Sequence, residues 1–206
     1  VVLDNVSNAD QVRPLLPGGA TCLVLVTSRH RLTGLVARDG ARRVTVGALP
    51  LDEAVGLLGE LLDPERHHRE RDAVREVARQ CGQLPLALRI AAAKLADDPY
   101  TTVAAYGSLL AARRLAALEV DDDPQAAVRV AFDLSYGGLP PGARRLFRLA
   151  GLAPGPDLAL DAAAALAGVD DVSTDLGVLL AGHLVEREAP DRFAMHDLLR
   201  AYAVDV

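Results

Sequence analysis

The chain is poor in several residue types, and each shortage narrows the possible folds and functions. Its 206 residues include no tryptophan, only 3% aromatic residues, one lysine and two cysteines. Leucine, valine and alanine must therefore form the core, which favours helix packing over a β-sandwich. Cys22 and Cys81 have no metal-ligand spacing, so we expect two buried, reduced thiols. No apolar run reaches the roughly 18 residues of a membrane span, so we expect a soluble, cytoplasmic protein.

A loop that holds nucleotide phosphates is also missing. Such a loop reads Gly-x-x-x-x-Gly-Lys-Ser/Thr, and its backbone N–H groups cradle the phosphates. The single lysine, Lys94, lies instead in an alanine-rich helical run. Because the chain also opens directly on an apolar strand, we interpret it as a fragment of a longer parent protein. We expect the fragment by itself to hold no cofactor and to be inactive as an enzyme.

The sequence divides into three parts. The first part, 1–48, alternates strand and helix signals. A short helix is predicted from Asn8, with Gln11 as its capping partner. Strands are predicted at 1–4, 21–27 and 43–46. Their continuous hydrophobicity is typical of a parallel sheet with helices on both faces. The first part is therefore predicted to be the C-terminal part of an α/β nucleotide-binding domain.

The second part, 49–120, changes to a helical period and predicts a small helical bundle. Four helices are expected: one capped by Asp52, one over 65–81 ended by Gly82, one opened by Pro85, and one from Thr101 or Thr102 to Leu118. Val74, Val77 and Ala78 form the apolar stripe of the charged helix at 65–81.

The third part, 121–206, begins with an acidic, proline-ended segment at 121–124 that we interpret as a linker. Helices are predicted at 125–136, 141–151, 159–168 and 173–183, strands at 184–187 and 192–195, and a last helix from His196. Helices followed by a two-stranded wing indicate a winged helix domain. The whole chain is thus predicted as α/β plus mainly α.

Two charged residues follow neighbouring strands of the first part. Asp4 ends the strand at 1–4, and Arg29 follows Thr27 and Ser28 after the next strand. Ligands of open parallel sheets bind outside the carboxyl ends of the strands, so both side chains are expected at one crevice. A carboxylate there can hold Mg²⁺, and a guanidinium can contact a phosphate. The alternatives are a turn-starting aspartate and a solvated arginine.

Four motifs occur in the order and rough spacing of the NB-ARC module of STAND-class NTPases, which the chain resembles along most of its length. Val1-Val2-Leu3-Asp4-Asn5 resembles a Walker B strand, and Thr27-Ser28-Arg29 resembles the sensor-1 motif. Gly82-Gln83-Leu84-Pro85-Leu86-Ala87 is similar to the Gly-Leu-Pro-Leu-Ala motif, and Met195-His196-Asp197 to the Met-His-Asp motif. Among proteins with this module, the large bacterial SARP-type activators of antibiotic pathways fit the composition best.

The resemblance implies roles for individual residues. Asp4 would position Mg²⁺, Arg29 with Thr27 and Ser28 would contact the terminal phosphate, Leu84 and Pro85 would lie on the adenine, and His196 would hydrogen-bond the β-phosphate of ADP. Asn5 stands where many members carry a second acid, which weakens the case for a water-activating base. The resemblance therefore leaves open whether the parent protein hydrolyses ATP slowly or only holds nucleotide.

The function that the resemblance implies is an ATP/ADP-dependent switch in a bacterial transcriptional regulator. ADP would bridge the sheet, the helical bundle and the winged helix. The partners would be upstream nucleotide-binding and DNA-binding domains of the same parent chain, with self-association as a further expectation.

Two alternatives stay open, a DNA-binding winged helix and a nucleotide-independent interaction scaffold. Residues 125–206 carry seven arginines and eleven acidic residues, a net charge of −4, which opposes phosphate attraction. The helix at 173–183 has no Arg, Lys, Asn or Gln for base edges. We therefore expect no direct nucleic-acid binding and no membrane binding by this segment.

Overall fold

The first part of the molecule is a small α/β region. A computed structural model of the chain describes residues 1–19, 21–120, 122–123 and 127–206. Strands β1 (Val2–Leu3) and β2 (Leu25–Val26) pair in parallel, with Val2 opposite Leu25 and Leu3 opposite Val26. Helix α1 spans Ala9–Val12 and helix α2 spans Thr33–Asp39. The parallel pairing confirms the α/β character predicted for this part.

The predicted capping of α1 is confirmed in its main feature. The Asn8 side chain accepts hydrogen bonds from the N–H groups of Asp10 and Gln11, both at 3.1 Å. The Ser7 N–H donates to the side-chain oxygen of Gln11 at 2.9 Å. In a capping box the donor would be the N–H of Asn8, one residue later. Two donors at the helix start are thus satisfied locally.

Three predictions for this part are wrong. Residues 43–46 form no strand, and Val46 is 90% exposed, because no strand in the described part of the chain pairs with this segment. The second strand covers only Leu25–Val26. Leu23 lies before it and is 83% exposed, since no helix covers that face. Cys22 is consequently exposed instead of buried, whereas Cys81 is buried as expected.

Five α-helices form the second part, one more than predicted. They are α3 (Leu51–Leu61), α4 (Pro64–Arg69), α5 (Arg71–Gln80), α6 (Pro85–Asp97) and α7 (Val103–Arg113), followed by a 3-10 turn at Ala116–Leu118. The predicted apolar stripe of α5 is fully buried, and Pro85 opens α6. The last helix, α7, ends at Arg113, five residues before the predicted end at Leu118.

The ends of these helices explain where the predictions fail and where they hold. Asp52 does not cap α3, because Pro50 precedes the helix and Asp52 instead pairs with Arg75 at 2.9 Å. The charged helix is divided at Glu70, whose φ of −116° and ψ of 34° interrupt the helical path. Thr102 caps α7 by accepting from the N–H of Ala105. Gly82 has a φ of +60°, which confirms the predicted left-handed stop after α5.

The described residues of the third part form five helices and an antiparallel sheet. The helices are α8 (Val128–Gly137), α9 (Pro141–Leu152), α10 (Leu160–Ala167), α11 (Ser173–Ala181) and α12 (Asp197–Asp205). The strands are β3 (Asp157–Ala159), β4 (Glu186–Ala189) and β5 (Arg192–Ala194). Strand β5 lies between the other two. The predicted helices and the hairpin are present, β3 was not foreseen, and a winged helix domain remains a prediction.

Two hydrophobic clusters stabilise the described residues. The larger runs continuously from Ala54 to Ala203 and therefore includes side chains of both the second and the third part. The smaller contains Val6, Val12 and Leu35. The predicted boundaries at 48/49 and 120/121 remain predictions. Asp121, Pro124 and the start of the helix predicted at 125–136 lie outside the described residues, so the linker interpretation also stays a prediction.

Helix α9 is the centre of the larger cluster in the third part. It packs against α10, α11 and α12. Phe147 on this helix is fully buried beside the rings of Tyr136 and Tyr202, with centroids 5.7 and 6.2 Å away. Among the described residues, no helix combines the length and apolarity needed to cross a membrane. Helix α9 thus supports α12, the helix that follows His196.

Candidate functional site

Asp4, Asn5 and Thr27 lie together at the carboxyl ends of β1 and β2. Parallel pairing brings these ends to one edge, where the Thr27 N–H donates to the Leu3 carbonyl at 2.9 Å. The Thr27 hydroxyl donates to Asp4 Oδ1. The same hydroxyl oxygen accepts from the Asn5 N–H at 2.9 Å. Thr27 therefore fixes the orientation of the Asp4 carboxylate, whose other oxygen faces an exposed edge.

Arg29 joins this group through Asn5. Its guanidinium Nη2 donates to Asn5 Oδ1 at 3.1 Å. Asn5 has a φ of +54°, a left-handed conformation that asparagine tolerates better than most residues. We call Asp4, Asn5, Thr27 and Arg29 the strand-end cluster. A carboxylate and a guanidinium that share one edge can contact a metal ion and a phosphate of the same ligand.

Ser28 forms its hydrogen bonds with backbone groups of the neighbouring loops. Its hydroxyl donates to the Val6 carbonyl at 2.6 Å and accepts from the His30 N–H at 2.9 Å. Both bonds are to backbone groups and stabilise the loop that follows β2. A nucleotide contact by Ser28 stays a prediction, and in this structure the side chain holds the loop that carries Arg29.

A second group forms where α5 turns into α6. The imidazole of His196 hydrogen-bonds the Gly82 carbonyl through Nε2 at 2.7 Å. Leu84 precedes α6 and is half-buried, while Pro85 at the first position of the helix is exposed. The exposed proline ring offers a flat apolar face. Structure thus brings together His196 and the Gly82–Pro85 turn, which are more than 100 positions apart in sequence.

The strand-end cluster and this turn are not joined to each other. Among the described residues, no hydrogen bond or ion pair links residues 1–48 to the rest of the chain. The nucleotide roles predicted for Asp4, Asn5, Thr27, Ser28, Arg29, Leu84, Pro85 and His196 therefore stay predictions. What the structure supplies is two local groups, each with the chemistry that the predicted role requires.

Charge is divided unevenly between the parts of the chain. Residues 1–48 carry six arginines and three aspartates, a net charge of +3. The remaining residues carry 16 basic and 25 acidic side chains, a net charge of −9, which together give the −6 of the whole chain. Anions are therefore attracted to the part that holds Arg29.

Two features of the site were not visible in the sequence. The first is the contact of His196 with Gly82, which sequence reasoning placed in separate motifs. The second is a groove of about 520 Å³ between the end of α7 and α12, lined by Arg113, Arg114 and Arg200 among others. The guanidinium of Arg114 reaches the Asp197 carbonyl at 3.4 Å. No cluster of three or more metal-ligating side chains occurs among the described residues.

Comparison with known proteins connects this geometry to a regulator. No protein-family model matches the chain. The chain is 44% identical over 205 residues to regulatory protein AfsR of Streptomyces coelicolor, covering 98% of the chain and 20% of that protein. It is also 44% identical to regulatory protein AfsR of Streptomyces griseus, of which it covers 21%. The chain is therefore related to AfsR, and it spans about a fifth of the length of these relatives.

Proposed function

We propose that the chain is a segment of a bacterial transcriptional regulator of the SARP type and forms part of an ATP/ADP-dependent switch of the NB-ARC, STAND class. The similarity to regulatory protein AfsR supports the regulatory assignment. The observation that carries the nucleotide assignment is the strand-end cluster, in which Thr27 orients Asp4 while Arg29 lies on Asn5 at the same edge. ATP or ADP with Mg²⁺ would be the cofactor of the longer protein.

Each proposed contact follows from the chemistry of its side chain. Asp4 would hold Mg²⁺ through the carboxylate oxygen that Thr27 leaves free. Arg29 would exchange its bond to Asn5 for a charged bond to the terminal phosphate. Leu84 and Pro85 would lie against the adenine, and the Nε2–H of His196 would donate to the β-phosphate of ADP.

A switch of this kind needs different nucleotide affinities in two arrangements of the protein. Bound ADP would connect residues 1–48 to the bundle and to the turn before α12. Among the described residues, no hydrogen bond or ion pair joins residues 1–48 to either of them. Exchange for ATP would release that connection. Since Asn5 offers no carboxylate to activate water, we propose nucleotide holding with slow hydrolysis at most.

Nucleotide binding is best tested in a protein of the relatives' length that contains this chain. Isothermal titration calorimetry with Mg²⁺ should show binding of ADP and of a non-hydrolysable ATP analogue, and Arg29→Ala should weaken binding of the ATP analogue at least tenfold. Arg42→Ala is the matched control, because Arg42 is an exposed arginine of the same basic part. Equal affinities for the ATP analogue in both variants would contradict the role of Arg29.

His196 is tested in the same protein through both nucleotide retention and output. His196→Ala should lose ADP during gel filtration and change the basal transcriptional activity, whereas the exposed surface histidine His68 should tolerate alanine. If neither readout changes, a nucleotide-independent scaffold explains the protein better. The 206-residue chain itself is expected to show no ADP binding by calorimetry, because it lacks a phosphate-binding loop.

DNA binding is the second candidate, and the three-stranded sheet beside α8–α11 is the observation that favours it. Helix α11, Ser173–Ala181, has no Arg, Lys, Asn or Gln for base edges, and residues 125–206 carry a net charge of −4. We expect no retardation of DNA by the chain in a gel shift at low salt. Clear retardation would place DNA binding ahead of the nucleotide switch.

A further inference from the structure

The imidazole of His196 occupies the space that a side chain at position 82 would need. A Cβ built on Gly82 would overlap the His196 ring, with Cε1 and Nε2 as its nearest atoms. Gly82 is itself buried. Glycine is therefore favoured at this position for two separate reasons, its φ of +60° and the ring that occupies the place of a Cβ.

The Gly82 carbonyl is held in place by the end of α5. The Gly82 N–H donates to the Arg79 carbonyl at 2.8 Å, and the Gln83 N–H donates to the Ala78 carbonyl at 3.1 Å. The Gln83 carbonyl in turn accepts from the Leu49 N–H at 3.1 Å. The acceptor that faces His196 is thus a fixed feature of the bundle.

The two ring nitrogens of His196 have different partners. The Leu198 N–H donates to Nδ1 at 3.2 Å, which makes His196 the N-cap of α12. Nδ1 must therefore be unprotonated, so Nε2 carries the proton and donates to the Gly82 carbonyl at 2.7 Å. The Gly82 carbonyl takes up this single N–H.

Two hydrogen bonds cross the boundary between the bundle and the third part at the turn that opens α12. One joins His196 to Gly82, and the other joins Arg114 to Asp197. The Arg114 bond is long at 3.4 Å, whereas the His196 bond is short. His196 therefore makes the stronger polar connection across this boundary.

From these contacts we infer that Gly82 is the docking position of His196, where the two residues form a latch that a nucleotide phosphate must open. The inference rests on the proposed function, since the phosphate would take the same Nε2–H that Gly82 holds. Nucleotide affinity is then lowered by the need to break the latch first. Loss of the latch without loss of His196 should accordingly increase that affinity.

The latch itself is tested in the 206-residue chain by a double-mutant cycle. Gly82→Ala should lower the urea midpoint more than Gly168→Ala, because Gly168 shares a left-handed φ of +67° but has open space around it. In a His196→Ala background, the excess effect of Gly82→Ala should disappear, because the ring is gone. If Gly82→Ala still lowers the urea midpoint more than Gly168→Ala in the His196→Ala background, the proposed latch is wrong.

A measurement on the unmodified chain covers the case in which Gly82→Ala does not fold. Nitrogen-15 NMR of labelled histidine, assigned with His196→Ala, should show His196 as the Nε2–H form with a slowly exchanging proton. A freely exchanging proton, or a mixture of the two neutral forms, would also overturn the latch.

The competition with nucleotide is tested by calorimetry with ADP in a protein of the relatives' length. Gly82→Ala should bind ADP several-fold more tightly than Gly168→Ala, whereas a merely structural role for Gly82 predicts weaker binding. Equal or weaker binding would overturn the competition. If the unmodified protein binds no ADP, both the proposed function and the competition are wrong. The double-mutant cycle in the 206-residue chain still decides whether Gly82 and His196 contact each other.

Discussion

Residues 1–48 and residues 49–206 illustrate two ways in which a chain uses apolar residues. In the first region the small core consists of Val6, Val12 and Leu35, and the strands leave leucines exposed, 57% in the case of Leu25. In the second, one continuous core runs from Ala54 to Ala203. Both regions are rich in leucine and valine, so composition alone does not decide burial. Burial depends on whether another element is present to cover the face.

The two regions also differ in what stabilises their functional residues. Asp4 and Arg29 are oriented by neighbours in their own region, through Thr27 and Asn5. His196 is oriented by Gly82, 114 positions earlier, and by the packing of α12 on α9. Local hydrogen bonding can thus preserve a site in a weakly packed region, whereas a site between distant elements needs a complete core.

The largest expected contrast is in thiol reactivity. Cys22, in the first region, is exposed, whereas Cys81 is buried, and burial raises the pKa of the Cys81 thiol to about 12. At pH 8 we expect Cys22 to react with Ellman's reagent at least about 100-fold faster than Cys81, because Cys81 must wait for an opening of the fold and is almost wholly protonated. Cys22→Ser and Cys81→Ser assign the two phases. Equal rates would show that the bundle is not packed as described.

Truncation of a core side chain should give the next largest effect. Phe147→Ala is expected to lower the free energy of unfolding by about 3–5 kcal/mol, because the ring is fully buried among other aromatic rings. Leu25→Ala in the first region is the comparison, and we expect a change below about 0.5 kcal/mol. Urea denaturation followed by circular dichroism measures both. A large effect of Leu25→Ala would mean that its side chain is covered in solution.

Adding a methyl group tests how closely the elements of each region approach one another. A Cβ on Gly151 would lie 2.6 Å from Ala203 Cβ, so Gly151→Ala should force α9 and α12 apart and cost about 1–3 kcal/mol. In the first region, a Cβ on Gly34 would lie 3.5 Å from Ala9 Cβ, an ordinary contact. Gly34→Ala should be neutral or stabilise by up to about 1 kcal/mol through helix propensity. Thermal melts should therefore show a lower melting temperature for Gly151→Ala and an unchanged or higher melting temperature for Gly34→Ala.

Removal of one helix cap from each region should have the smallest effect. Thr102→Ala and Asn8→Ala each lose side-chain bonds to backbone N–H groups, at a cost of about 0.5–2 kcal/mol. The Thr102 cap lies in the large cooperative core, so we expect its loss to lower the global urea midpoint. Loss of the Asn8 cap should reduce hydrogen-exchange protection only near α1, since no hydrogen bond among the described residues ties 1–48 to the rest. A global effect of Asn8→Ala would show that the two regions unfold together.

Sequence reasoning succeeded where the signal is local. The Asn8 and Thr102 caps, the left-handed Gly82 and the proline-opened α6 follow from residue types within one turn of the chain. It failed for the strand predicted at 43–46, because apolar residues cannot form a strand without a neighbour to pair with. It missed β3, Asp157–Ala159, for the opposite reason. Those three residues carry little strand signal and are organised by β5, which lies more than 30 positions later.

For the candidate site, sequence reasoning could anticipate the residues at the strand ends but not the contact between distant elements. An acid and an arginine at adjacent strand ends could be expected from the order of the motifs, and the structure brings Asp4 and Arg29 to one edge through Thr27 and Asn5. The contact of His196 with Gly82 could not be expected, because no sequence pattern relates the two positions. Its presence depends on the packing of α12 against α9.

By itself, the sequence determined the helices, their caps, the parallel pairing of the first strands and the residue types at their ends, because these depend on steric and hydrogen-bonding preferences that act over a few residues. Tertiary structure alone decided which apolar faces are covered, where β3 pairs, and that Nε2 of His196 lies within hydrogen-bonding distance of the Gly82 carbonyl. These features depend on groups distant in the chain, and only a packed core fixes their relative positions.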